Sequence, residues 1–312
     1  MKIIVFGGAG FLGSHIADQL SLKGHDVTIF DTLESPYIRS DQEMIKGDIL
    51  DENAVNKAVS GCDVVYNLAA IADIDESKAR PLETARVNIL GNTIVLEAAR
   101  QAGVRRFVFA SSVYVYSDSG SFYKSSKKAC EYFISDYYEQ YGLEYTILRY
   151  GSLYGRRANP GNSIYRYLKE ALTTGKITYY GSGEEQREFI HVEDAARASA
   201  DILTPEFVNQ HIILTGQRAM RYKDFLEMIQ EILGNRIGIE YRKKHSETHY
   251  RITPYNFAPR LGRKYVANTH IDIGQGIMDC ISELYENNQV ATSPEYSGVS
   301  MDDDGGRLVH AS

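Results

Sequence analysis

Tyr123 and Lys127 stand four residues apart, and Ser112 shortly precedes them. On a helix that spacing places a phenol and an ammonium on one face, one turn apart. Together with a hydroxyl they can take a proton from an alcohol and give it back. A free phenol titrates near pH 10 and is a poor base at neutrality. A fixed cation one turn away favours the phenolate. Lowering the pKa by about 3 units needs roughly 4 kcal/mol, which a close charge in a partly desolvated cleft can supply. Ser112 would bond the same substrate oxygen and orient it. The spacing alone is common: among 23 tyrosines about one match is expected by chance, and Tyr165 with Lys169 is a second. Position separates them. Ser112 ends the apolar run Arg106–Ala110, whereas no serine-ended strand precedes Tyr165.

A second set of residues could hold a dinucleotide. The apolar run Lys2–Phe6 reads as a buried strand that enters Gly7-Gly-Ala-Gly-Phe-Leu-Gly13, and a helical pattern begins at Ser14. Strand, glycine turn and helix in that order are the context such a motif requires. Gly7 permits a tight turn, Gly10 a close approach to a pyrophosphate, and Gly13 close packing of helix on strand. The helix start offers unpaired N–H groups and a partial positive charge. His25–Phe30 reads as the next strand and ends at Asp31. A carboxylate there can accept from adenosine ribose hydroxyls and would repel a 2′-phosphate. No arginine adjoins it, so NAD rather than NADP is expected.

These residues need a frame, and the pattern supplies one. Met44–Lys46, Asp63–Asn67, Arg106–Ala110 and Tyr145–Arg149 read as further strands, with helices at 51–60, 81–101 and 122–141 and a polar loop at 71–79. The alternation implies a parallel sheet covered on both faces, with ligands at the carboxyl ends of its strands. An α/β, Rossmann-type doubly wound domain is therefore expected over 1–150, with returning segments from about 176–215. Beyond 150 the pattern loosens. A glycine- and arginine-rich loop (151–162), helices at 163–174, 193–203 and 222–233, and strands at 177–180 and 211–214 predict a smaller substrate-binding lobe over 151–288. Residues 289–312 lose periodicity and read as a flexible tail.

Composition narrows the function. The 312 residues are 43% hydrophobic and 24% charged, the balance of a globular protein, and the net charge is −7. An acidic chain is a poor general binder of nucleic acid, so any anion site must be built locally. No apolar run is long enough to span a bilayer, and the opening core strand leaves no space for a signal peptide. Cys62, Cys130 and Cys280 are too few and scattered for a disulfide framework or a zinc site. Free thiols in the cytoplasm, and no metal, are expected.

With these landmarks in register, the chain resembles the extended short-chain dehydrogenases/reductases, specifically the NAD-dependent nucleotide-sugar epimerase/dehydratase group. The resemblance spans about residues 1–285. It is carried by Gly7–Gly13, Asp31, Gly47-Asp48-Ile49, Asn67-Leu-Ala-Ala70, Asn88 in Val87–Gly91, Ser111-Ser112, Val115-Tyr116, Tyr123 to Lys127, Leu148–Gly155 and Arg187–Asp194. It implies that Asp48 and Ile49 contact the adenine and that Leu68, Ala69 and Ala70 pass beside the cofactor. It also places Phe11, Leu12, Asn88, Ser111 and Tyr150, with Tyr123 and Lys127, among the cofactor contacts. The lobe after 150 would hold a nucleoside-diphosphate sugar, with Arg187 on the diphosphate and Ser152 at a usual substrate contact. The resemblance further implies a homodimer through helices 81–101 and 122–141. From the residues alone, Arg187 could instead pair with Glu185 or Glu188, and His191 reads as packed.

Four positions depart from the group's pattern. Asn67 stands where histidine is frequent, and Ser152 where asparagine is frequent. The 4,6-dehydratases carry an Asp-Glu pair where this chain has Val113 and Tyr114, and loss of water across C5–C6 needs an acid and a base there. The expected activity is oxidation at C4 of a nucleotide sugar and return of the hydride to the opposite face, a 4-epimerisation. A 4-dehydrogenase or 4-ketoreductase uses the same residues and stays open, a 4,6-dehydratase less so. A catalytically silent NAD-binding sensor is the non-enzymatic alternative.

Overall fold

The computed structural model describes residues 1–242, 249–254, 262–267 and 269–287. The tail expected at 289–312 lies outside them. In chain order the first half contains β1 (Lys2–Phe6), α1 (Phe11–Leu22), β2 (Asp26–Asp31), β3 (Gln42–Lys46), α2 (Glu52–Val59), β4 (Val64–Asn67), α3 (Ile74–Ala79), α4 (Pro81–Thr84), α5 (Asn92–Gln101), β5 (Arg106–Ser112), α6 (Ser121–Tyr141) and β6 (Glu144–Tyr150). The second half adds β7 (Ser152–Tyr154), α7 (Ser163–Thr174), β8 (Lys176–Tyr180), β9 (Gln186–Arg187), β10 (Phe189–His191), α8 (Val192–Asp201) and β11 (Gln210–Leu214). It closes with β12 (Met220–Arg221), α9 (Tyr222–Ile232), β13 (Gly238–Arg242), β14 (Arg263–Lys264) and α10 (Ile273–Glu286).

Eight strands form one sheet in the order β14-β11-β6-β5-β4-β1-β2-β3, and every pairing in it is parallel. This is the Rossmann-type α/β sheet expected from the alternation. Continuous apolar strands supply both faces. Ile3 and Val5 pack toward Ile16 and Leu20 of α1 and the alanines of α8, while Ile4 and Phe6 pack toward Val55, Leu96 and Ile134 of α2, α5 and α6. Chain order reverses between β1 and β4, opening the crevice where ligands of such sheets bind.

Three local expectations change. Residues 71–79 are not all loop: Asp73 accepts the N–H of Glu76 at 2.8 Å and starts α3. The helix expected at 81–101 is interrupted, with a π-helical stretch at Ala85–Gly91 between α4 and α5. Asn88 lies in it, its side chain turned to the loop at Ile71. The strand expected at 177–180 does not join the main sheet but pairs with β13, whereas β11 pairs with β6 and extends the sheet past residue 150. A third apolar cluster, with Leu168, Phe189, Phe225 and Ile277, forms the core of the smaller lobe.

The lobe is tied to the glycine helix at a buried imidazole. His15 Nε2 lies 3.0 Å from the carbonyl oxygen of Arg156, and Arg157 donates to Asp18 at 2.8 Å. Burial holds the His15 pKa down at about 4, against 6.5 when unfolded. The unfolded chain therefore binds a proton that the folded chain refuses. The stability due to neutral His15 is complete above pH 6.5 and is lost as pH falls toward 4, about 3 kcal/mol in all. Denaturant melts of the wild type and His15→Gln across pH 4–7 check this, the variant losing less stability than the wild type over that interval.

Candidate active site

The turn after β1 packs against the turn after β4. Gly7 has φ +76°, and a Cβ there would sit 2.7 Å from the backbone nitrogen of Ala69. A Cβ at Gly13 would collide with the carbonyl oxygen of Gly7. α1 begins at Gly10 without a side-chain cap and without an acidic residue in its first turn, so its first N–H groups face outward, with Phe11 and Leu12 half-buried beside them. Asp31 accepts the N–H of Ala9 at 3.0 Å and of Leu33 at 3.2 Å, which fixes the glycine turn to the end of β2. Asp48 accepts the N–H of Leu50 at 2.9 Å, and Ile49 is buried against Gly91.

Two buried asparagines hold the loop after β4. Asn67 accepts the N–H of Ala69 at 3.2 Å and donates to Asn92 at 2.9 Å, so this departure from the group's pattern shapes the loop from beneath. Asn88 accepts the N–H of Ile71 at 2.8 Å and donates to the Ile71 carbonyl at 3.1 Å and the Ser126 hydroxyl at 3.0 Å. Its side chain ties Ile71, the residue after Leu68–Ala70, to α6. Neither Ser111 nor Tyr150 turns its side chain toward the crevice. The Ser111 hydroxyl donates to Glu131 at 2.5 Å, beside the bonds that Arg149 makes to the same carboxylate. The Tyr150 hydroxyl lies 2.6 Å from the Ser199 hydroxyl inside the core. What these two offer a ligand is backbone.

Ser112, Tyr123 and Lys127 do converge. Ser112 ends β5, and α6 brings the Tyr123 phenol beside the serine hydroxyl, which favours its ionised form. Lys127 is 4% exposed. It donates to the Ala110 carbonyl at 2.7 Å and stands 5.8 Å from the centre of the Tyr123 ring. Lys169 is 5.7 Å from the Tyr165 ring, so helical spacing alone produces that approach. The sheet end and the burial belong only to the first pair. The expected low phenol pKa is not what the protein alone produces. Burial pushes Tyr123 up to about 12, the Ser112 hydroxyl opposing it only in part, and burial brings Lys127 down to about 8. Desolvation outweighs the cation because the ammonium turns to Ala110 rather than to the phenol oxygen.

Arg187 is 5% exposed. Its guanidinium lies 4.0 Å from the Tyr250 ring centre and 5.4 Å from that of Tyr222, and its Nη1 donates to the Gln186 carbonyl at 2.8 Å. The carboxylates beside it in sequence are engaged elsewhere: Glu185 accepts from Gly183 N–H and Tyr179 hydroxyl, and Glu188 pairs with Lys264 at 2.8 Å. Among the described residues no carboxylate pairs with this buried cation. Ser152 and Thr253 stand beside the Tyr250 phenol, where both favour its ionised form. His191 is packed edge-on against Tyr154, with ring centres 5.2 Å apart.

A family model described as the NAD dependent epimerase/dehydratase family matches residues 3–214. The chain belongs to that family. Family relatives include a Methanocaldococcus jannaschii protein named "Putative UDP-glucose 4-epimerase", 29% identical over 92% of this chain and 99% of its own. A UDP-N-acetyl-alpha-D-glucosaminuronate decarboxylase of Bacillus cytotoxicus is 32% identical over 74% of this chain and 79% of its own. Among solved structures, the UDP-glucose 4-epimerase of Thermus thermophilus in complex with NAD superposes with a TM-score of 0.75 at 26% identity, covering 91% of this chain and 99% of the other. The residues present fit the family's cofactor: the glycine cradle leaves no volume for a Cβ, the α1 N-terminus lacks a cap of its own, and a carboxylate ends β2.

Tyr114, Tyr250 and His249 join the cleft without having been singled out as site residues. The Tyr114 ring lies edge-on to Tyr123 at 6.2 Å and against Tyr250 at 4.6 Å, and its hydroxyl is 2.7 Å from His249 Nδ1. Position 114 carried a signal, since it is one of the two where an acid–base pair is missing. Tyr250 and His249 carried none, because an isolated turn more than a hundred residues away has no periodicity to read.

Proposed function

We propose that the protein is a nucleoside-diphosphate-sugar 4-epimerase that acts through a 4-keto sugar. The observation that carries the reading is the Tyr123 phenol brought beside the Ser112 hydroxyl at the end of β5, with the buried Lys127 one turn behind. Relatives named for UDP-glucose 4-epimerisation in sequence and in structure support it. Ser112 and Tyr123 both bond the C4 hydroxyl. Tyr123 is placed to take the proton of that hydroxyl and to return one to the oxygen of the 4-keto sugar, while NAD, when bound, would accept the hydride and give it back to the opposite face. Bound NAD supplies the hydride acceptor and a positive ring charge. The charge matters: lowering the phenol from about 12 to neutrality requires about 7 kcal/mol. Lys127, 5.8 Å from the ring centre and bonded to the Ala110 carbonyl, supplies only part of that. Arg187, buried without a carboxylate, binds the diphosphate.

Val113 is 1% exposed and packed with Ile213 and Tyr250, so no acid–base pair stands at the dehydratase positions. This weighs against loss of water at C5–C6. We also read the protein as a homodimer. Phe122, Tyr132, Phe133 and Tyr141 of α6 and Leu82 of α4 are exposed, apolar surface that a second copy would cover. The free thiols of Cys62, Cys130 and Cys280 support a reducing, cytoplasmic setting, and among the described residues no helix is long and apolar enough to cross a membrane.

The test is one preparation. Mass spectrometry of the denatured protein is expected to release NAD. Incubation with UDP-glucose is expected to yield its C4 epimer with no net NADH, and light scattering should give the mass of two chains. Stoichiometric NADH with a released ketosugar would establish the dehydrogenase in its place, and evolved CO2 from UDP-glucuronate a decarboxylase. NAD binding without turnover of any of these would leave the sensor.

A further inference from the structure

Tyr114 sits between the two ends of the proposed substrate. One edge of its ring meets Tyr123, the proton-transfer residue, and the other side meets Tyr250, which carries Arg187 on its face. In a nucleoside-diphosphate sugar the part lying between the reacting carbon and the diphosphate is the hexose. The ring is held in place from below as well. Its backbone N–H donates to Ser112 at 3.3 Å. Gly120, with φ +106°, approaches so closely that a Cβ there would stand 2.6 Å from Tyr114 Cδ1. The hydroxyl is braced by His249 at 2.7 Å. A phenol has one donor and two acceptor positions, so the bond to one imidazole nitrogen leaves the hydroxyl able to bond again.

We propose that Tyr114, oriented by His249, binds the hexose and determines which sugar the enzyme accepts. This rests on the epimerase reading and adds to it a sugar-recognition pair built from two distant segments. The pair acts on the sugar and not on the nucleotide, which separates it from Arg187. It acts through binding and not through the proton, which separates it from Tyr123.

The experiment measures kcat and KM with UDP-glucose, and calorimetric affinity for UDP alone, for the wild type, Tyr114→Phe, His249→Gln and the double variant. Tyr114→Phe is expected to raise KM for UDP-glucose about 10-fold, the worth of one hydrogen bond, with UDP affinity unchanged. His249→Gln should shift KM in the same direction, and the double variant should be no worse than Tyr114→Phe, because both remove one contact. If UDP affinity falls as far as UDP-glucose affinity, or if neither variant moves KM, the aromatic cluster is only packing and the proposal is wrong. Should Tyr114→Phe fail to fold, His249→Gln alone decides by the same two readings. A wild type that neither binds nor converts UDP-glucose overturns the epimerase reading itself, and this inference with it.

Discussion

Tyr123→Phe is expected to lower kcat for epimerisation by about 10³-fold, with NAD still bound and UDP-glucose affinity little changed. General acid–base catalysis contributes about 10²–10⁴ in rate, and in the proposed mechanism the lost group carries the proton in both half-reactions. The substitution removes one oxygen from a ring whose packing is otherwise kept, edge-on to Tyr114 at 6.2 Å. Ser112 retains the N–H of Tyr114, so the fold stands. Single-turnover product analysis with UDP-glucose, alongside calorimetry on the same sample, checks both halves. Full activity in this variant would remove the phenol from the chemistry and with it the catalytic account.

Arg187→Met is expected to move binding and stability in opposite directions. Affinity for UDP-glucose should fall about 100-fold, because truncating one partner of a desolvated charge pair costs about 2–5 kcal/mol. The ligand-free protein should melt no lower than the wild type, and higher where relief of desolvation dominates. Arg187 is 5% exposed and makes its contacts with aromatic faces and one carbonyl. Taking a guanidinium out of water costs several kcal/mol, and cation–π contacts return about 2 kcal/mol or somewhat more when desolvated. Methionine keeps the volume and the stem without the charge. A thermal melt and a UDP-glucose titration on one preparation read the two signs. A sharp drop in melting temperature together with unaltered affinity would mark Arg187 as a structural cation.

Much of the cofactor half was legible before any coordinates. Gly7, Gly13 and Asp31 do their work within a short stretch, where strand, turn and helix follow from local pattern and a Cβ is either tolerated or not. Ser112, Tyr123 and Lys127 were legible for the same reason: a strand end and one helix turn lie close in sequence. What failed there was electrostatic sign. The spacing of Tyr123 and Lys127 pointed to a lowered phenol pKa, yet the ammonium bonds Ala110 and burial raises the phenol to about 12. Spacing gives proximity, but only the folded surroundings give desolvation.

The chain itself determined the doubly wound sheet, the glycine cradle and the convergence of Ser112, Tyr123 and Lys127, because each is a matter of backbone conformation or of neighbours within a short stretch of chain. Tertiary structure alone decided that Arg187 is left without a carboxylate among the described residues, that Ser111 and Tyr150 turn their side chains away from the crevice, and that Tyr114 meets Tyr250 and His249. Those outcomes depend on which distant surfaces exclude water from one another, and a contact between residues more than a hundred positions apart leaves no periodicity in the sequence.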